Sequence, residues 1–157
     1  MTTILVLSDT HGKLGRLLRD NESELVRHLN ECDRIFHLGD GEDDIRKLDM
    51  LYPTKLDFVN GNCDSSTDTP IRIIDIENTR FLLTHGHKFS VKSTLMKLEL
   101  ECRYREANVG LFGHTHRVTY EYLGGVILLN PGSVATSKTY MQIVVDKDKI
   151  TYKIFQI

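Results

Sequence analysis

Thr3-Ile4-Leu5-Val6-Leu7-Ser8-Asp9-Thr10-His11-Gly12 begins as a short, β-branched-rich apolar run and stops abruptly in a polar cluster. A strand covered on both faces reads this way, as a continuous apolar run rather than an alternation. Asp9 and His11 stand two residues apart, so in extended backbone they project to one side and can reach one small volume. The same punctuation recurs downstream. Arg34-Ile35-Phe36-His37-Leu38 ends in Gly39-Asp40-Gly41, and Leu56-Asp57-Phe58-Val59 leads into Gly61-Asn62-Cys63-Asp64. Segments of helical spacing lie between these runs. From Lys13 to Glu31, Leu14, Leu17, Leu18, Leu25, Val26 and Leu29 fall among charges, with Asp20-Asn21 dividing two helices and Ser23 or Asn21 as a cap. Glu42 to Tyr52 carries Ile45, Leu48 and Leu51 on one face and is stopped by Pro53. This alternation predicts β-α-β units and a parallel sheet with ligands at the carboxyl ends of its strands.

The organisation then shifts. Ile71 to Ile76 and Arg80 to Thr84, joined by Glu77-Asn78-Thr79, predict a hairpin that runs into His85-Gly86-His87. A helix capped by Ser90 or Ser93 is expected to reach Glu106, with Leu95, Leu98 and Cys102 facing inward. Val109-Gly110-Leu111-Phe112 delivers Gly113-His114-Thr115-His116, a second i, i+2 pair. Taken alone, that pair reads equally well as an exposed polar turn. After it come Val118 to Leu123, a Gly124-Gly125 turn, Val126 to Leu129, the loop Asn130-Pro131-Gly132-Ser133, and two closing strands, Met141 to Val145 and Ile150 to Phe155.

Bulk properties narrow the function classes. The 157 residues fit a single domain, 1–157, with 40% hydrophobic and 27% charged residues, ordinary for a globular protein. A formal net charge of -2 argues against a strongly basic nucleic-acid surface. Cys32, Cys63 and Cys102 are isolated and odd in number, which reads as a reducing compartment. No basic leader and no apolar run of membrane-spanning length are present, so a cytoplasmic protein with no membrane partner is expected.

The five polar strand ends hold Asp9, His11, Asp40, Asn62, His85, His114 and His116. Five of the seven histidines lie in these motifs. Oxygen and imidazole donors without a thiolate pair suit Mn²⁺, Fe²⁺, Zn²⁺ or Ni²⁺, with Mn²⁺ the first expectation. Seven ligands exceed what one ion needs and match two divalent ions if one carboxylate is shared.

The ordered set Asp9-Thr10-His11, Gly39-Asp40, Gly61-Asn62-Cys63-Asp64, His85-Gly86-His87 and Gly113-His114-Thr115-His116 resembles the calcineurin-like metallophosphoesterases. More narrowly it is similar to their small YfcE-type phosphodiesterase branch, in which Asn130-Pro131-Gly132-Ser133 also has a counterpart. The resemblance runs from Ser8 to Ser133. It implies an α/β fold: a four-layer α/β/β/α sandwich of two mixed β-sheets flanked by helices, with a dinuclear metal site at strand ends. By the same resemblance Asp9, His11 and His116 hold one metal, Asn62, His85 and His114 the other, and Asp40 bridges both. The implied activity is that of a phosphoric ester hydrolase, a phosphodiesterase in which a metal-bridging hydroxide attacks the phosphorus of a small phosphoester substrate. The alternatives on this fold are a phosphomonoesterase or nuclease on the same centre, or a non-catalytic interaction scaffold such as the retromer subunit it also resembles.

The chain departs from the wider family at Cys63, where many members carry a histidine that steers the phosphate and helps protonate the leaving group. A thiol with an ordinary pKa of about 8.5 is a poorer donor than imidazolium. Asn62, Cys63 and His87 are accordingly the candidate catalytic residues. His37 reads as a hydrogen-bonded core histidine beside the site and His28 as a surface residue. Asp43, Asp44 and Asp64 read as caps or solvated turns, and Arg103-Tyr104-Arg105 as a solvated helix face. The C-terminal strands offer an edge for a homo-oligomer.

Overall fold

β1 (Thr2–Leu7) pairs in parallel with β2 (Arg34–His37), placing Ile4 opposite Arg34 and Leu7 opposite His37, and β2 pairs in parallel with β3 (Leu56–Phe58). The computed structural model describes residues Met1–Ile157. The crossovers are helical, as the spacing predicts: α1 (Leu14–Leu17) and α2 (Glu24–Glu31) between β1 and β2, and α3 (Glu42–Leu51) between β2 and β3. Ser23 caps α2, its hydroxyl accepting the Val26 N–H at 3.2 Å. On the other side of β1, β9 (Thr139–Asp146) and β10 (Lys149–Gln156) add antiparallel strands, giving the order β10-β9-β1-β2-β3.

A second five-stranded sheet takes the rest of the chain. It is built from β4 (Ile71–Ile76), β5 (Thr79–Thr84), β6 (Val109–Leu111), β7 (Val118–Leu123) and β8 (Val126–Pro131), in the order β4-β5-β6-β8-β7. Parallel β5-β6 and β6-β8 pairs sit between antiparallel edges. The helix α4 (Met96–Tyr104) packs on the outer face of this sheet.

Strand alternation explains the unbroken apolar run of β1. Ile4 and Val6 point into the core between the sheets, where Phe36 meets Phe81 edge to face at 5.9 Å. Leu5 and Leu7 point the other way, onto Leu14, Leu25 and Leu29 of the helices. Leu82 does the same for the second sheet, packing with Leu98 and Cys102 of α4 while Phe81 and Leu83 face the central core. The layers are therefore α/β/β/α, and every loop with a polar cluster follows a strand. No helix is long and apolar enough to cross a membrane.

Two sequence readings need correction. α4 begins at Met96 rather than at a Ser90 or Ser93 cap. Ser90 has left-handed backbone (φ 55°), and the Met96 N–H is accepted instead by Thr94 Oγ1 at 3.2 Å. His28 is buried, not on the surface: its Nδ1 lies 3.0 Å from the Tyr140 hydroxyl and its ring stands edge-on to Phe155 at 4.6 Å. A partner 112 residues away gives no local signal.

Candidate metal centre

Interlocked loops assemble the site. A Cβ at Gly113 would stand 2.0 Å from Ser8 Oγ and 2.7 Å from Asp9 Oδ2, and one at Gly61 would stand 2.0 Å from Asp40 Oδ1. Bare backbone at these two positions lets the β6 and β3 loops press against the two carboxylates. The loops are bent tightly as well. Asp9, His11, Asp40, His114 and His116 all have left-handed backbone, with φ between 44° and 66°. Such conformations cost non-glycine residues about 1–3 kcal/mol and collect where a fixed side-chain direction is needed.

Three overlapping donor groups result, each with ligand atoms within 4.8 Å of one another: Asp9, His11 and His116; His11, Asp40 and Cys63; Asp40, His85 and His114. Asp9 and His85 are fully buried and Asp40 nearly so, while His11 and His116 keep a third of their side chains exposed. His116 Nε2 is 3.0 Å from Asp9 Oδ1, His85 Nε2 is 3.3 Å from Asp40 Oδ2, and His11 Nε2 is 3.9 Å from both carboxylates. His114 Nδ1 lies 3.2 Å from His85 Nε2.

The surroundings aim these atoms. Asp9 Oδ2 accepts from Ser8 Oγ and from the His114 N–H, which leaves Oδ1 turned to the centre. Asp40 Oδ1 accepts the Cys63 N–H at 2.8 Å, which turns Oδ2 toward His85 and the centre. His85 Nδ1 donates to the Leu38 carbonyl at 2.8 Å, so Nε2 faces inward, and Thr136 Oγ1 holds His116 Nδ1 at 3.1 Å with the same outcome. His85 thus has the carbonyl partner expected of a metal-ligating imidazole, whereas His116 uses a hydroxyl.

Charge is concentrated here. Burial alone would raise the Asp40 carboxyl, but hydrogen bonds from His85 and the Cys63 N–H drive it well below the usual carboxylate range. Burial likewise opposes charge on His85, and Asp40 and Asp9 overcome it and raise its pKa. Burial and the neighbouring His85 lower His114.

The other predicted site residues lie close by. Asn62 is exposed, and its amide donates to Cys63 Sγ at 3.4 Å. Cys63 is also exposed, and its thiol is pushed up by desolvation and then by Asp40. His87, on a single 3-10 turn (His87–Phe89), holds its ring 5.5 Å from His85 and 6.1 Å from His114. His37 is a buried histidine between Thr10 Oγ1 (3.1 Å) and the Gly39 N–H (3.2 Å), as read from sequence. Asp64 does more than cap a turn. Its carboxylate accepts backbone N–H groups from Asp40, Gly41, Glu42 and Gly61, tying the β2 loop, the start of α3 and the β3 loop together. Asp44 is fully buried rather than solvated, 3.8 Å from Lys47 Nζ. Ser8 and Thr136 carried no signal in the sequence, since their roles depend on contacts across the fold.

The donor set fits divalent metal. Asp9 Oδ1 is a buried carboxylate oxygen that accepts no hydrogen bond, despite three imidazole nitrogens within 3.9 Å. An anionic oxygen so placed is costly unless a cation meets it. Ligands about 2.1 Å from one ion stand about 3.0–3.5 Å apart, and the closest donor pairs here are 3.0–3.3 Å apart.

Known proteins resemble this chain in sequence and in fold. The calcineurin-like phosphoesterase superfamily domain matches residues 2–152. The probable metallophosphoesterase YsnB of Bacillus subtilis is 31% identical over 160 residues, covering 97% of this chain and 89% of that protein. The phosphodiesterase YfcE of Escherichia coli is 34% identical over 93 residues, 54% of this chain and 47% of YfcE. Among solved structures, a predicted phosphoesterase from Streptococcus pneumoniae superposes with a TM-score of 0.81 at 26% identity, over 99% of this chain and 89% of its own. Vacuolar Protein Sorting 29 from Cryptosporidium parvum has the same fold, with a TM-score of 0.82 at 16% identity over 99% and 91% of the two chains.

Proposed function

This chain belongs to the calcineurin-like phosphoesterase superfamily, and we propose that it acts as a divalent-metal-dependent phosphodiesterase on small phosphoesters. The observation that carries this reading is the position of Asp40, common to the group with His11 and Cys63 and to the group with His85 and His114. A carboxylate shared in this way suits two adjacent ions. In this reading Asp9, His11 and His116 would hold one metal, Asn62, His85 and His114 would hold the other, and Asp40 would be shared between them, with Mn²⁺ the preferred ion. When bound, such ions would supply Lewis acidity toward the phosphoryl oxygens and lower the pKa of a nucleophilic water toward neutrality.

The chain's own residues do the rest. The Leu38 carbonyl and the Thr136 hydroxyl fix which nitrogen His85 and His116 present. Ser8 and the His114 N–H occupy one oxygen of Asp9 so that the other stays available. The exposed Cys63 and the half-buried His87 are the candidate proton donors to the departing alkoxide. The thiol is raised and His87 is lowered by burial, so at neutral pH neither offers a strong acid and substrates with good leaving groups are favoured. The likeness of YfcE, named a phosphodiesterase, supports diesters over monoesters. The net charge of -2 disfavours a nuclease, which grips a polyanion with several cations.

We read residues 1–157 as one catalytic domain and place it in the cytoplasm, a reading supported by its three free cysteines. The fold shared with Vacuolar Protein Sorting 29 would also suit a scaffold, but a scaffold has no need of a full set of convergent donors. Bis(p-nitrophenyl) phosphate separates the two. The chelated protein should be inactive and Mn²⁺ should restore turnover. A folded protein inert with every divalent ion supports the scaffold.

A further inference from the structure

Most of the ten arginines are engaged with nearby carboxylates: Arg27, Arg34, Arg46, Arg72, Arg80, Arg103 and Arg105 all form ion pairs. Arg16 forms none, although an exposed arginine on α1 has solvent room to find a partner. It stands where two cavities meet. One, of about 680 Å³, is lined by Lys13, Arg16 and Lys138 together with Leu17, Val134 and Ala135. The other, of about 520 Å³, adds Arg19 and Lys47. Neither wall carries an Asp or Glu side chain, and Ile157, whose N–H is bonded to the Lys138 carbonyl, forms no ion pair with these cations.

Both cavities abut the candidate metal centre. They share Gly12 with the smaller cavity that holds His11, Asp40 and Cys63. The larger one also reaches Ala135, whose N–H is bonded to the Asp9 carbonyl, next to the Thr136 that orients His116. Lys47 is paired with Asp44, but Lys13, Arg16 and Lys138 form no ion pair and lie together on one side of the Asp9, His11 and His116 group, in a chain whose net charge is -2. Such a cleft concentrates and orients anions. Its other wall, Leu17, Val134 and Ala135, suits the uncharged body of an organic molecule.

The geometry points to a second phosphate subsite: the substrate carries, besides the scissile phosphoester, a further phosphate held by Arg16 with Lys13 and Lys138, on an organic body that packs against Val134 and Leu17. A nucleoside bisphosphate ester has this chemistry. The inference rests on the phosphoesterase reading for the identity of the first site, and binding can test it apart from turnover.

The probes are thymidine 5′-monophosphate and thymidine 3′,5′-bisphosphate, titrated calorimetrically into Mn²⁺-loaded protein. Wild type should bind the bisphosphate about tenfold more tightly, as expected for one added charge-assisted contact. Arg16→Ser and the Arg16→Ser/Lys138→Ser double variant should bring that ratio to about one while leaving the monophosphate affinity unchanged. Raising salt from about 0.1 M to about 1 M, which shortens the Debye length from about 10 Å to about 3 Å, should also erase it. Equal affinity of the wild type for the two ligands, or an unchanged ratio in the double variant, would overturn the subsite. The p-nitrophenyl esters of the same two nucleotides then separate the claims: a bisphosphate preference in binding without metal-dependent turnover of either ester leaves the subsite standing and removes the phosphodiesterase.

Discussion

The Asp64 carboxylate accepts the backbone N–H of Asp40 at 2.9 Å, and with its other contacts it gathers four backbone donors from two different loops. One buried side chain therefore sets both the left-handed turn that aims Asp40 and the entry into α3. Asp64→Ala strands those donors, each buried amide without a partner costing about 1–3 kcal/mol. With three of the four donors buried, we expect a loss of at least about 3 kcal/mol in unfolding free energy and a 10–100-fold weaker affinity for divalent metal. Denaturant titration and competition with a chromophoric chelator measure the two effects separately. A variant with wild-type metal affinity would show that Asp64 does not position the centre.

Thr136 supports the opposite side of the site through His116. Thr136→Val keeps its shape but removes the hydroxyl, freeing the imidazole to rotate. Metal affinity should fall about tenfold with stability nearly unchanged, because the pair is exposed to solvent. Equal losses in metal affinity and stability would mean general disruption instead.

Burial holds His37 neutral, with its pKa lowered from 6.5 to about 4. In the unfolded chain the same ring takes a proton near pH 6.5, whereas the native state resists protonation down to about pH 4. This contribution to stability is thus complete above pH 6.5 and lost as pH falls through that window, at 1.36 kcal/mol per unit or about 3 kcal/mol in all. Metal-free His37→Gln, whose amide can serve Thr10 and Gly39, should lose correspondingly less stability between about pH 7 and about pH 4.5. Parallel pH profiles for the two proteins would contradict the assignment.

Cys63 sits at the rim of the site with a thiol that holds its proton. Wild-type turnover should decline steeply as the pKa of the leaving alcohol rises. Cys63→His introduces a group able to donate near neutral pH, so turnover of alkyl phosphodiesters should rise about tenfold or more, with p-nitrophenyl esters little affected. An unchanged dependence on leaving group in the metal-loaded, folded variant would remove Cys63 from any part in leaving-group departure.

The layered fold was legible because its signals are local. β1 could be read from the four-residue apolar run Ile4 to Leu7, Ser23 could be recognised as a cap, and the closing hairpin had a turn of charged residues at Asp146 to Lys149. Histidines and aspartates clustered at strand ends made the candidate ligands visible for the same reason. What escaped depended on distance in sequence. The hydrogen bond between His28 and Tyr140 spans 112 residues, and the orientation of His116 depends on a threonine 20 residues further on. The left-handed backbone at Asp9, His11, Asp40, His114 and His116 was equally hidden, since nothing in a residue's identity forces that conformation outside glycine.

The shared role of Asp40 is the central claim, and metal stoichiometry tests it most directly. After loading with Mn²⁺ and removal of free ion, the wild type should retain about two ions per chain and hydrolyse bis(p-nitrophenyl) phosphate, while Asp40→Ala should lose at least one ion together with the activity. A folded wild type that retains no divalent metal, or an Asp40→Ala variant that keeps both ions and full turnover, would contradict it.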